Sequence, residues 1–118
     1  MGTLSHYKLK MEVVNPTLFY DSLGIDIESM DSGNLNYVLV KHVYGKGNCW
    51  EVDKLLESKD LELHSIKWYE FESDMQYLSS NVLGIIFKLI TQPEESFNIV
   101  KYTWYNGSLV NSMEVKLL

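Results

Sequence analysis

Apolar and polar residues alternate strictly near the start of the chain. Tyr7, Leu9, Met11 and Val13 interleave with His6, Lys8, Lys10 and Glu12, a period of two that predicts a strand over residues 5–14. Asn15-Pro16 then reads as a helix start, with Asn15 as N-cap and Pro16 in the first helical position. Leu18, Phe19, Ser22 and Leu23 follow at helical spacing, and Gly24 supplies a left-handed stop. Ile25 and Ile27 alternate with Asp26 and Glu28, predicting a brief strand before a turn at residues 31–34.

Residues 35–44 are rich in Val, Leu and Tyr and predict another strand, broken by Gly45-Lys46-Gly47. Asn48, with Glu51 three residues on, predicts a helix whose apolar stripe is Val52, Leu55 and Leu56. A strand is expected over residues 62–71. This order of strand, helix, strand, strand, helix, strand is the ferredoxin-like βαββαβ arrangement, an α+β fold. The rest of the chain extends that core. Ser73 with Gln76 predicts a capping box for a third helix, in which Met75, Leu78 and Val82 share a face. A strand over residues 83–91 and a hairpin of residues 97–105 and 108–117 complete a three-stranded antiparallel meander. Asn106-Gly107 is the turn, and its two-residue length pairs Trp104 with Leu109, Tyr102 with Asn111 and Val100 with Met113. Trp104, Leu109, Val100, Met113 and Val115 are therefore expected on the core face.

The 118 residues suit a single domain, and an apolar fraction of 46% supports a packed core. One cysteine, Cys49, excludes an intramolecular disulfide and fits a reducing compartment. Residues 1–10 carry charge without an apolar run, and no segment has the length of a membrane span. A cytoplasmic protein is expected. Charge changes the picture more. Ten lysines face sixteen acidic residues, a net charge of −6, and arginine is absent, as is alanine. A negative chain without arginine is poorly equipped to grip nucleic acid, so no direct nucleic-acid partner is expected.

The motifs of catalysis are missing. His6, His42, His64 and Cys49 show no metal-ligand spacing, so no metal or other cofactor is expected. Gly45-Lys46-Gly47 lacks the length and the following Lys-Ser/Thr of a phosphate loop. Cys49 sits near a helix start without an adjacent histidine, and no Gly-x-Ser-x-Gly elbow occurs. Tyr7 and Tyr44 could stack bases on a ferredoxin-like sheet, but no RNP motif surrounds them. Glu70, Glu72 and Asp74 crowd a strand end and a helix start as an acidic rim. Trp50 lies off its helix stripe, and Trp68 shares a strand face with Glu70 and Glu72; both are candidate exposed anchors for a protein partner. The candidate protein-binding residues are thus Trp50, Glu51, Trp68, Glu70, Glu72 and Asp74.

Lys67-Trp68-Tyr69, Asp74-Met75, Leu78-Ser79, Phe87-Lys88-Leu89 and Tyr105-Asn106-Gly107 follow one another in a set order. In that order, residues 62–110 resemble the C-terminal half of a family of small phage and mobile-element proteins, the YubB-type ferredoxin-like group. After Phe87-Lys88-Leu89 the chain has Thr91-Gln92-Pro93-Glu94-Glu95 where the family has a glycine-acidic turn. The resemblance implies a ferredoxin-like fold and a mobile-element origin, and it transfers no functional residue. The expected function is a non-enzymatic acidic binding protein, plausibly phage-encoded, that docks on a host protein in the host cytoplasm. Such a protein would be an inhibitor of host defence or a nucleic-acid mimic, and its target a nucleic-acid-handling protein. The alternative is a small-ligand sponge, oligomeric, with a pocket lined by Trp and Tyr.

Overall fold

The computed structural model describes residues 4–24, 35–95 and 98–115. Among the described residues, five strands form one antiparallel sheet in the order β2-β1-β3-β4-β5, with four helices. β1 (Ser5–Val13) runs beside β3 (Ile85–Pro93) over its whole length, with Leu9 opposite Leu89 and Met11 opposite Phe87. β2 (Glu62–Ile66) flanks β1, and β4 (Ile99–Tyr105) and β5 (Ser108–Val115) extend the other side.

The alternation in β1 does what its period demands. Tyr7 and Leu9 are buried, as are Ile85, Phe87 and Leu89 of β3 and Trp104 of β4. α3 (Trp50–Glu57) and α4 (Phe71–Asn81) cover this face, closing it with Val52, Leu55 and Leu56 from one and Met75 and Leu78 from the other. α1 (Pro16–Leu23) begins as expected. The Asn15 side chain accepts from the Leu18 N–H, and Gly24 ends the helix at φ +68°. Phe19 carries its apolar side into the core. The opposite sheet face holds Lys8, Lys10, Lys88 and Lys101 among Ile86 and Ile90, and Lys10 stands directly across from Lys88.

The ferredoxin-like arrangement is overturned. The strands run in the order β2-β1-β3-β4-β5, and residues 35–43, expected as a strand, form helix α2 (Leu35–Val43). Leu39 and Val43, one helical turn apart, are both buried, and α2 packs on α3. Val- and Tyr-rich composition favours a strand only when a sheet edge is available to pair with. Here packing against a neighbouring helix prevails over local preference. Without that strand, no βαββαβ core forms. The expected strand at Ile25 and Ile27, the turn at residues 31–34, Phe97 and Leu117 lie outside the described residues.

Other boundaries move as well. The strand expected over residues 62–71 stops at Ile66, and Phe71 opens α4, so the Ser73–Gln76 capping box falls inside the helix. Cys49, and not Asn48, is the N-cap of α3, its Sγ accepting from the Val52 N–H at 3.4 Å. The Asn106-Gly107 turn forms, with Tyr105 opposite Ser108 and Trp104 opposite Leu109. Asn106 and Gly107 both have positive φ (50° and 82°), as a type I′ turn requires. The register then shifts by one: Tyr102 meets Ser112 and Val100 meets Glu114. This bulge moves Met113 to the face of Lys101, where it is half exposed, so the expected core position of Met113 is corrected.

Candidate functional site

The starts of α3 and α4 converge at one end of the helical layer. Glu51 and Asp53 occupy the first turn of α3, and Glu72 and Asp74 the first turn of α4. Carboxylates are favoured there by the helix dipoles and by unpaired backbone N–H groups. The Cys49 Sγ and the carboxylates of Glu51 and Asp74 lie within 4.8 Å of one another, which ties the two helix starts together. Burial pushes the Cys49 thiol up to about 12, and the nearby Asp74 and Glu51 charges add to the effect. A thiol in that state is a poor nucleophile at neutral pH.

Trp68 is the post behind this rim. It is only 4% exposed and meets Tyr7 edge-on at 5.2 Å and Phe71 at 6.3 Å. Its indole N–H donates to Asp74 Oδ2 at 2.7 Å, locking that carboxylate in place. Phe71 continues the aromatic row to Tyr102, which stacks on Trp104. Burial raises the Tyr7 and Tyr102 hydroxyl pKa values, with Glu72 second for Tyr102.

Of the six residues singled out from sequence, Trp50, Glu51, Glu70, Glu72 and Asp74 lie at these helix starts. Trp50 is 59% exposed. The reading of Trp68 as an exposed anchor is corrected by its burial. It assumed a strand continuing to Phe71, with Trp68 on the side of Glu70 and Glu72. Because β2 ends at Ile66, the alternation stops and the chain folds Trp68 inward. Its neighbour Tyr69, not singled out from sequence, is the exposed aromatic instead, at 72%.

Tyr7 and Tyr44 do not form a stacking pair on the sheet. Tyr7 is in the core, and Tyr44 follows α2 and donates to Glu57 at 2.7 Å. That bond raises the Tyr44 pKa and lowers that of Glu57. Clefts among the described residues open to solvent. One of about 270 Å³ lies over the β1–β2 edge, lined by His6, Tyr7, Lys8, Glu62, His64 and Ile90 among others. One of about 360 Å³ is lined by Ser73, Gln76, Tyr77, Ser80 and Gly107. Each carries one tyrosine and no tryptophan. Among the described residues no helix is long and apolar enough to cross a membrane. Comparison with protein-family models, curated proteins and solved structures finds no match to the chain.

Proposed function

We propose that this protein is a non-catalytic docking module whose α3–α4 end engages a basic surface of a partner protein. The observation that carries the reading is Trp50, largely exposed beside a rim of carboxylates that Trp68 and the helix dipoles hold in place. An exposed indole is an interface anchor, and the rim charges steer encounter. Glu51, Asp53, Glu72 and Asp74 give this end its acidic character, while four of the ten lysines, Lys8, Lys10, Lys88 and Lys101, lie on the opposite sheet face. A mobile-element origin, implied by the resemblance of residues 62–110, fits a protein whose task is to occupy a host surface that otherwise holds nucleic acid.

Fluorescence tests it directly, because Trp50 is exposed while Trp68 and Trp104 are buried. Titration with a lysine-rich peptide should blue-shift the emission of the native protein and leave a Trp50→Phe variant unchanged. Raising ionic strength from about 0.01 to about 0.15 M shortens the Debye length from about 30 to about 8 Å and should weaken the response. A shift that persists in Trp50→Phe, or one equally produced by an acidic peptide, would refute the reading.

A further inference from the structure

The β1–β2 edge brings together two histidines that are 58 residues apart in the chain. His6 Nδ1 and His64 Nδ1 face each other at 3.4 Å. The outer nitrogen of each ring faces a carboxylate: His64 Nε2 lies 3.2 Å from Glu62 Oε2, and His6 Nε2 lies 3.6 Å from Glu94 Oε1. These partners decide where the ring protons sit. His6 Nδ1 accepts from the Ser65 N–H at 3.3 Å, so in the neutral ring its proton is on Nε2, toward Glu94. His64 Nε2 faces Glu62 as a charge contact, and in the tautomer that keeps the ring proton on Nε2, toward Glu62, its Nδ1 offers a lone pair as well. In that tautomer the two ring nitrogens 3.4 Å apart both lack a proton, and a cation between them would bridge the pair.

From this geometry we propose that His6 and His64 form a two-histidine site for a divalent transition-metal ion of the zinc–copper class. A tetrahedral ion with metal–nitrogen bonds of about 2.0–2.1 Å holds two ligand nitrogens about 3.3–3.4 Å apart, the separation found here. A carboxylate on the far nitrogen is the usual second-shell partner of a ligating histidine, since it orients the ring and raises its basicity. Imidazole donors select zinc, copper and nickel over calcium or magnesium. The local charge also suits a cation: Glu62 and Glu94 face one ammonium, Lys8, which shares Glu62 at 3.3 Å. Ser65 holds Glu94 in place through its hydroxyl. The backbone is bent for this contact. A bulge places His64 and Ser65 opposite His6, and Ser65 has φ +55°, a strained value for a residue with a side chain. On binding, the ion takes the His6 Nδ1 lone pair from the exposed Ser65 N–H, which water then satisfies. The remaining coordination positions open into the cleft above His6 and His64.

The test is a titration of the chelator-treated full chain with zinc chloride by calorimetry and with copper(II) chloride by electron paramagnetic resonance. One ion per chain should bind, and the copper spectrum should show coupling to two nitrogens. His6→Asn and His64→Asn should each abolish the two-nitrogen signal, and Glu62→Gln should weaken binding about 10-fold or more. His42→Asn and Cys49→Ser should bind as the native chain does. Circular dichroism establishes that each variant is folded, and Glu62→Gln gives a graded readout if a histidine variant is not. No stoichiometric binding overturns the proposal and leaves a proton as the bridging cation. Binding that survives both histidine variants, or is lost only in Cys49→Ser, also overturns it, the latter by assigning the ion to the Cys49–Glu51–Asp74 cluster.

Discussion

Replacing Trp68 with Phe isolates the bond that holds the acidic rim. The phenyl ring still meets Tyr7 and Phe71, but the donor to Asp74 is gone. A hydrogen bond to a charged acceptor contributes about 1.5–3 kcal/mol, and the lower end applies because Asp74 is only half-buried. The lost volume, roughly 40 Å³, adds about 1 kcal/mol at about 24 cal/mol per Å³ of cavity. The expected destabilisation is about 2.5–3 kcal/mol, or a fall in Tm of roughly 10 °C for a chain of this size. Equilibrium urea unfolding followed by far-ultraviolet circular dichroism measures it. A cycle with Asp74→Ala separates the two causes: the bond predicts a coupling of about 1–2 kcal/mol, whereas packing alone predicts additivity within about 0.5 kcal/mol. Additive losses would show that Trp68 fills space and does not hold Asp74, and the rigid rim invoked for docking would lose its support.

Gly84→Ala should destabilise by about 3 kcal/mol or more, because a Cβ there meets the backbone oxygen of Asn15 at 2.5 Å in addition to the strain of φ +76°. Gly24→Ala, at φ +68° with open space around it, should cost only about 1 kcal/mol, and equal losses in thermal melts would contradict the steric account. Cys49 should resist alkylation at pH 8, where a pKa of about 12 leaves about one thiolate in ten thousand; rapid modification of the folded protein by iodoacetamide would disprove its protection. The same shift has a stability consequence. The folded-state value lies above the unfolded 9.0, so the contribution is intact below pH 9 and is lost as pH rises toward 12; Cys49→Ser should flatten that decline in alkaline unfolding curves, and the raised Tyr7 and Tyr102 values act in the same direction.

What the sequence determined by itself is local. The period of two in residues 5–13, the Asn15 cap, the Gly24 stop and the Asn106-Gly107 turn each depend on a few adjacent residues, so their chemistry is visible without a fold. The acidic first turns of α3 and α4 are legible for the same reason, since the dipole acts within one turn. Tertiary structure decided everything that depends on a partner distant in the chain. Residues 35–43 have strand-like composition, and only packing against α3 makes them a helix. One added residue, Val110, moves Met113 across the sheet, because in a strand a shift of one reverses every side chain beyond it. Trp68 is a surface residue if β2 continues and a core residue once β2 ends at Ile66. His6 and His64 have no spacing that announces a pair; antiparallel pairing of β1 with β2 and the strained bulge at Ser65 bring their nitrogens to 3.4 Å. Burial and convergence are properties of contacts between distant segments, and no window of neighbouring residues contains them.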